Sequence, residues 1–143
     1  MKITIAGDHY TVDLLKAIEQ QLSDLGHVII NVGSQNQDDK KTLQEIIPAV
    51  ASAVTDRDAD FGVLACGTGV GVEIGANRFK GVRASLCRDP QQAKNARIYD
   101  NANILCLGSW YKDDFVSIIE AWIENKFGGD AGRTQMLADF DNF

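Results

Sequence analysis

The sequence predicts an α/β protein in which five parallel strands form one sheet with helices on both faces. Short apolar runs rich in Ile and Val recur five times, and they are nearly continuous, as in strands buried on both faces. Helical patterns lie between these runs, which favours a parallel sheet. The predicted strands are Ile3–Ala6, Val28–Val32, Phe61–Ala65, Val82–Leu86 and Ile104–Leu107. With no linker, repeat or low-complexity segment, we expect one domain over residues 1–143, a Rossmann-like three-layer sandwich.

The helix after the first strand is predicted by apolar residues three and four positions apart, which form one face of a helix. They are Leu15, Ile18, Leu22 and Leu25. Thr11 is of a residue type that caps helix N-termini, and Gly26 is of the type that ends helices.

The second helix is harder to place because a proline interrupts its pattern. Thr42 and Glu45 have the spacing of a capping box. A helix that began at Thr42 would, however, be disrupted at Pro48. We therefore expect a turn over Thr42–Glu45 and the main helix over Pro48–Val54.

An apolar stripe near the end of the chain predicts the last helix. Its members are Phe115, Ile118, Ile119, Trp122 and Ile123. We expect Asp113 to cap this helix and Gly128-Gly129 to close it. The tail over residues 128–143 ends in the apolar Phe140 and Phe143, so we expect it to dock on a partner subunit.

Composition excludes several classes of partner. The net charge of −6 argues against nucleic acid or an anionic membrane as the main partner. No stretch approaches the roughly 18 consecutive apolar residues of a membrane span, and the start, "MKITIAGDHY", is typical of a first strand and not of a signal peptide. The three cysteines lack disulfide or metal-site spacing, which favours reduced thiols in the cytoplasm.

Ligands of open parallel sheets bind beyond the carboxyl ends of the strands. At these ends the sequence places Asp8 and His9 after the first strand and a glycine-rich loop, Cys66 to Gly71, after the third. Arg88-Asp89 follow the fourth strand, and Gly108-Ser109-Trp110 follow the fifth.

The loop contains alternate glycines but neither standard nucleotide motif. A dinucleotide fingerprint would need glycine at Val72 or Ile74, and the Gly-Lys-Ser/Thr ending of a P-loop is absent. The glycines still expose backbone N–H groups at the start of a helix, which suits an anion. The alternative is a tight turn that binds nothing.

Cys66 lies beside these N–H groups. A thiolate is stabilised near a helix N-terminus and is able to take a proton from a carbon next to a carbonyl. The loop N–H groups and the Thr68 hydroxyl would hold the developing oxyanion, so the arrangement favours enolisation. A nucleophilic cysteine would need an activating histidine, and His9 is the candidate, so acyl transfer stays open as an alternative.

The stretch "CGTGVG…ANRFKGVRA", from Cys66 to Ala84, resembles type B ribose-5-phosphate isomerases and the related galactose-6-phosphate isomerase subunits. Gly7-Asp8-His9, "CRDP", "NANILCLGS" and the late "GG" also fit, so the resemblance covers nearly the whole chain. It implies a homodimer or larger oligomer, or a pair of paralogous subunits, with active sites across the interface. It also implies a sugar-phosphate substrate and no metal or organic cofactor.

The resemblance implies roles for individual residues. The base cysteine matches Cys66, which shuttles a proton between carbons 1 and 2 of an open-chain sugar through an enediol. Thr68 and the loop match the enediolate cradle, while Asp8 and His9 match substrate and phosphate contacts. The loop residues are Gly67, Gly69, Val70 and Gly71.

Departures from the family affect ring opening and phosphate binding. A histidine followed by Asn in many members is Tyr99-Asp100 here, and the arginine of a Gly-Ser-Arg motif is Trp110. Of two arginines four residues apart near the C-terminus, Arg133 remains and the second position is Leu137. We keep Tyr99 as a catalytic candidate, although a phenol is a poor proton acceptor near neutrality. Asp100 and Arg133 are kept as substrate contacts, with His9 and Arg88 as further candidates for the phosphate.

Three explanations fit these departures. The substrate needs no ring opening, as with a tetrose 4-phosphate, in which the hydroxyl required for a furanose is esterified. Alternatively, a paralogous subunit supplies the missing groups, or the chain is a catalytically silent sugar-phosphate-binding homologue. We predict an aldose–ketose isomerase for a pentose 5-phosphate, tetrose 4-phosphate or hexose 6-phosphate.

Overall fold

Five parallel strands form the centre of the molecule, as predicted, in a computed structural model that describes residues 1–143. The strands are β1 (Lys2–Gly7), β2 (Val28–Asn31), β3 (Phe61–Cys66), β4 (Ala84–Leu86) and β5 (Ile104–Gly108). The helices are α1 (Val12–Asp24), α2 (Leu43–Thr55), α3 (Val70–Ala76), α4 (Pro90–Asp100), α5 (Phe115–Glu124) and α6 (Ala131–Phe140). The strand order is β2-β1-β3-β5-β4, so β1, β3 and β5 are central.

Helices cover both faces of the sheet and bury a separate apolar core on each. Helices α1, α4 and α5 cover one face, where Leu15 and Trp122 are among the fully buried side chains. Helices α2 and α3 cover the other face with Ile46 and Val72. The α/β sandwich is therefore confirmed. None of the six helices combines the length and the apolar character that a membrane crossing requires.

Helix α1 lies where its pattern predicts it. Thr11 occupies the N-cap position, but its hydroxyl donates to the Asp8 carbonyl at 2.8 Å instead of capping the helix. Gly26 follows the helix at a φ of +85°, a conformation that glycine adopts without strain.

Helix α2 corrects the expectation of a turn over Thr42–Glu45. It begins at Leu43, and the Glu45 carboxylate accepts from the Thr42 N–H at 2.7 Å and from the Thr42 hydroxyl at 2.9 Å. An internal proline such as Pro48 costs about 3 kcal/mol. Burial of one Ile or Val side chain contributes about 1.5–3 kcal/mol, and α2 buries several. Its buried residues are Ile46, Ile47, Val50, Ala51 and Val54.

Helix α5 is confirmed with a different cap. Asp114, and not Asp113, precedes it and accepts from the Ser117 N–H at 3.1 Å. The helix ends at Glu124, before Gly128-Gly129.

The tail contains a helix, α6, that the sequence analysis did not predict. Its only buried residue is Leu137, so it lacks the apolar stripe that would reveal a helix. Asp141, just after α6, accepts from the Gly81 N–H at 2.8 Å, which ties the tail to its own chain. Phe143 is almost fully exposed, and docking of the tail on a partner subunit stays a prediction.

Candidate active site

The candidate site lies at the carboxyl ends of β1, β3 and β5, where strand register brings distant residues together. Gly7 pairs with Ala65, and Cys66 pairs with Gly108. The residues that follow these strands therefore surround Cys66. Asp8 and His9 lie on one side of it, and Ser109-Trp110 lie on the other.

Cys66 is buried at the end of β3, with 5% of its surface exposed. The Gly69 N–H donates to its Sγ at 3.2 Å. Gly69 adopts a left-handed conformation, with φ of +76°. A Cβ at Gly69 would lie 2.9–3.0 Å from backbone atoms of Leu107 and Gly108, so glycine is needed at this position.

Several N–H groups of the loop that follows Cys66 have no hydrogen-bond acceptor within the protein. The N–H groups of Gly67, Thr68 and Gly71 donate to no protein acceptor. The Val70 N–H donates to Thr68 Oγ1 at 3.2 Å, which leaves the Thr68 hydroxyl hydrogen free. Unpartnered N–H groups are uncommon in folded proteins, and here they share one loop with a thiol. Among the loop residues predicted to contact the substrate, Gly67 and Gly71 have unpartnered N–H groups. The N–H groups of Gly69 and Val70 already donate to Cys66 Sγ and to Thr68 Oγ1.

Trp110 covers this loop. The Trp110 backbone N–H donates to the Gly67 carbonyl at 3.0 Å. A Cβ at Gly67 would lie 2.3 Å from Cε2 of the Trp110 indole. The indole therefore rests directly on the Gly67 Cα. Trp110 is among the residues that the sequence places after the fifth strand, but sequence reasoning assigned it no role, because its contact with Gly67 depends on the pairing of Cys66 with Gly108.

Asp8 and His9 form the opposite side of the site. Asp8 Oδ1 accepts from the Tyr10 N–H at 3.1 Å. Burial raises the pKa of the Asp8 carboxyl, and the hydrogen bond from Tyr10 and the nearby His9 offset this only in part. The His9 and Tyr10 rings are 4.1 Å apart between centroids.

Arg88, a candidate for the phosphate, is already paired. Its Nε and Nη2 donate to the two carboxylate oxygens of Asp113, each at 3.0 Å. Its guanidinium also lies 3.8 Å from the centroid of the Tyr111 ring. The pair with Asp113 uses Nε and Nη2 and leaves Nη1 as the guanidinium nitrogen without a protein acceptor.

Tyr99, Asp100 and Arg133 come together, but away from Cys66. Arg133 Nη1 donates to the Tyr99 carbonyl and to Asp100 Oδ1, at 3.2 Å each. Helix α4 starts beyond the carboxyl end of β4 and returns to the amino end of β5, and its 11 residues span about 16 Å. These three residues therefore lie near the amino ends of the strands, whereas the thiol of the same chain lies at the carboxyl ends. These two ends of the sheet are called the amino edge and the carboxyl edge below.

The arrangement at the carboxyl edge is able to remove a proton from carbon and hold the resulting oxyanion. A thiol supplies the base, and free N–H groups with a hydroxyl supply the donors. No group of three or more His, Cys, Asp or Glu side chains is placed to share a metal ion. A cofactor-free reaction stays a prediction.

Comparisons with known proteins agree on one family. A family model described as Ribose/Galactose Isomerase matches residues 3–138. Galactose-6-phosphate isomerase subunit LacB of Clostridium acetobutylicum is 37% identical over 99% of this chain and 82% of that protein. Probable ribose-5-phosphate isomerase B of Mycoplasma genitalium is 36% identical over 96% of this chain and 91% of that protein.

The fold is also that of a solved structure. Ribose-5-phosphate isomerase B of Clostridium thermocellum superposes with a TM-score of 0.93, at 30% identity, over 99% of this chain and 96% of that one. The likeness therefore extends over the whole sheet and its helices.

Proposed function

Because the chain belongs to the ribose/galactose isomerase family, we propose that it interconverts the aldose and ketose forms of a small phosphorylated sugar. The observation that carries the mechanism is the Cys66 Sγ, held by the Gly69 N–H at 3.2 Å within a loop of unpartnered N–H groups. The relatives named above are isomerases of hexose and pentose phosphates.

The reaction moves one proton between neighbouring carbons. The Cys66 thiolate takes the proton from carbon 2 of the open-chain aldose, and the electron pair forms the carbon 1–carbon 2 double bond while charge moves to oxygen 1. The Thr68 hydroxyl and the N–H groups of Gly67, Thr68 and Gly71 stabilise this charge. The thiol then returns the proton to carbon 1, and the hydroxyl proton of oxygen 2 passes to oxygen 1, which gives the ketose.

A second copy of the chain completes the site in this proposal. Asp8 and His9 are the predicted substrate contacts beside Cys66, but Arg133 lies at the other edge of its own sheet. A dimer that places the amino edge of one copy over the carboxyl edge of the other would bring Tyr99, Asp100 and Arg133 of the partner subunit to Cys66. Support comes from the exposure of these side chains, since about half of the Tyr99 surface is accessible.

We favour a substrate that cannot close a furanose ring and therefore needs no ring-opening base. Tyr99 stands where a ring-opening base is expected, and a phenol serves that role poorly near neutrality. A tetrose 4-phosphate has no free hydroxyl for furanose closure and needs no such base. Pentose and hexose phosphates are tested beside it in the experiment described below.

The three cysteines are free, which fits a reducing compartment such as the cytoplasm.

The alternative functions are one subunit of a hetero-oligomeric isomerase and a silent sugar-phosphate-binding protein. The first alternative is favoured by the similarity to LacB, which is itself a subunit.

The deciding experiment is solvent-deuterium incorporation, followed by NMR, into four-, five- and six-carbon sugar phosphates. Cys66→Ala should lower the exchange rate by about 10²–10⁴-fold, because it removes the base. Cys87→Ala is the matched control, since burial raises the pKa of Cys87 to about 11 and keeps it a thiol. The control should exchange at the wild-type rate.

Exchange that persists in Cys66→Ala would refute the proposed base. A wild-type protein that binds a sugar phosphate without exchange would support the silent homologue. Exchange that appears only after addition of a paralogous chain would support the hetero-oligomer.

A further inference from the structure

Two exposed aromatic rings flank the candidate site, and we propose that one of them, Trp110, binds the substrate by stacking its indole on the carbon chain of the sugar. Tyr10 extends the same aromatic wall, and the anionic group of the substrate binds elsewhere. This inference rests on the proposed function and assigns a substrate contact within that site.

The backbone that carries the indole is fixed next to the base. The Trp110 backbone N–H donates to the Gly67 carbonyl at 3.0 Å, and the preceding Ser109 N–H donates to the Cys66 carbonyl at 2.9 Å. The ring touches Gly67 so closely that any Cβ there would overlap it. A substrate carbon held at Cys66 therefore lies next to the loop on which Trp110 rests.

The indole keeps most of its surface free. Trp110 is 66% exposed, whereas Trp122 in the core is 1% exposed. Tyr10 is 62% exposed, and its ring is 6.4 Å from the Trp110 ring in an edge-to-face arrangement. Aromatic rings supply large contact areas at low cost in side-chain entropy. Together the two rings connect the end of β1 with the end of β5.

The charge distribution of this wall selects which part of the substrate contacts it. The face of an aromatic ring is electron-rich, so it attracts cations and polarised C–H bonds and disfavours a phosphate dianion. Arg88 follows β4, the strand next to β5. Its guanidinium is bonded to Asp113 and packed on Tyr111. The carbon chain of the sugar, with its C–H bonds, is therefore the part that stacks on Trp110.

Fluorescence quenching tests this contact directly, because the chain has only two tryptophans and one is buried. Acrylamide should quench Trp110 in the free protein, and Trp110→Phe should remove the quenchable component. A saturating sugar phosphate should lower the Stern–Volmer slope at least about twofold, because a ring stacked on ligand is shielded. Inorganic phosphate should leave the slope unchanged.

Steady-state kinetics separate stacking from support of the loop. Trp110→Ala should raise KM about tenfold and change kcat less than about threefold, because the contact exists in the ground state as well as in the transition state. Trp110→Phe should recover most of the loss. The inhibition constant of inorganic phosphate should change less than about twofold in Trp110→Ala if the anion binds elsewhere. Tyr10→Ala, which leaves the Gly67 contact intact, should raise KM in the same direction.

Several results would overturn the inference. One is an inhibition constant for phosphate that rises as much as KM, which would place the anion at Trp110. Another is a Trp110 that acrylamide does not reach in the free protein, which would mean that another copy covers it. Deuterium exchange without shielding of Trp110 would refute this inference alone, whereas absence of both exchange and sugar-phosphate binding would refute the proposed function.

Discussion

At the carboxyl edge of the sheet the thiol and its N–H donors are positioned by the backbone, whereas at the amino edge the candidate groups are at least partly exposed side chains. Cys66 and its N–H donors are fixed by strand register and by the left-handed Gly69. Arg133 is held by hydrogen bonds to the Tyr99 carbonyl and the Asp100 carboxylate, and all three residues are at least partly exposed. A backbone-built site tolerates few substitutions, but contacts made by exposed side chains are replaced at low cost. Three residues at which the chain departs from the family resemblance have exposed side chains: Tyr99 and Asp100 at the amino edge, and Trp110 at the carboxyl edge.

The largest effect is expected where the backbone builds the site. Gly69→Ala should destabilise the fold by about 3–5 kcal/mol and abolish deuterium exchange, because left-handed strain and overlap with the β5 backbone add together. Gly26→Ala is the matched control, since Gly26 has a similar φ and a Cβ there would meet nothing within 4 Å. The control should cost only about 1–2 kcal/mol.

Urea denaturation of both glycine variants measures the difference. Equal losses in the free energy of unfolding would show that the close approach of Gly69 to β5 contributes nothing. The contrast between the two edges would then lose its physical basis.

The next effect tests whether the two edges meet across subunits. Arg133→Ala should lower the exchange rate about 10–100-fold by removing a charged contact to the substrate. A mixture of equal amounts of Cys66→Ala and Arg133→Ala chains, unfolded and refolded together, should recover about a quarter of wild-type activity. Half of the dimers are then mixed, and each mixed dimer has one intact site of two.

The mixing result has a clear opposite. If Cys66 and Arg133 of the same chain formed one site, a mixed dimer would have no intact site and activity would not return. Each variant refolded alone serves as the control, and its activity should stay at the single-variant level.

Much of the carboxyl edge was predictable from the sequence, because buried strands and the rule for parallel sheets place Asp8, His9 and the Cys66 loop together. The contact between Trp110 and Gly67 was not predictable, since it depends on the pairing of Cys66 with Gly108. The start of α2 was missed because burial on one face outweighs the single proline at Pro48. Helix α6 was missed because it buries only Leu137.

A smaller effect is expected at Asp8, where function and stability should oppose each other. Burial raises the pKa of this carboxyl in the folded chain, so the ionised form weakens the fold at neutral pH. This loss of stability disappears when the pH falls below the pKa that the Asp8 carboxyl has in the unfolded chain. Asp8→Asn should therefore lower isomerase activity yet raise Tm slightly at pH 7, with no gain at pH values where Asp8 is protonated.

Thermal unfolding at several pH values checks this sign. Asp13→Asn is the control, because it removes a carboxylate from the first turn of α1, where negative charge is favourable. This control should not raise Tm. A lower Tm for Asp8→Asn at pH 7 would mean that the Asp8 carboxylate stabilises the fold.

The smallest effect, on phosphate binding, is expected at Arg88, because its guanidinium is already paired with Asp113 and packed on Tyr111. Its two bonds to Asp113 and its packing on Tyr111 leave it little freedom to turn toward a ligand. Arg88→Ala should therefore change the inhibition constant of inorganic phosphate less than about twofold, whereas Arg133→Ala should raise it at least about tenfold. Asp113→Ala adds a stronger test, because it frees the Arg88 guanidinium. If phosphate then binds more tightly, the Asp113 pair is what keeps Arg88 out of the site; if Arg88→Ala alone weakens phosphate binding as much as Arg133→Ala, the anion binds at the carboxyl edge and the assignment of charge to the amino edge is wrong.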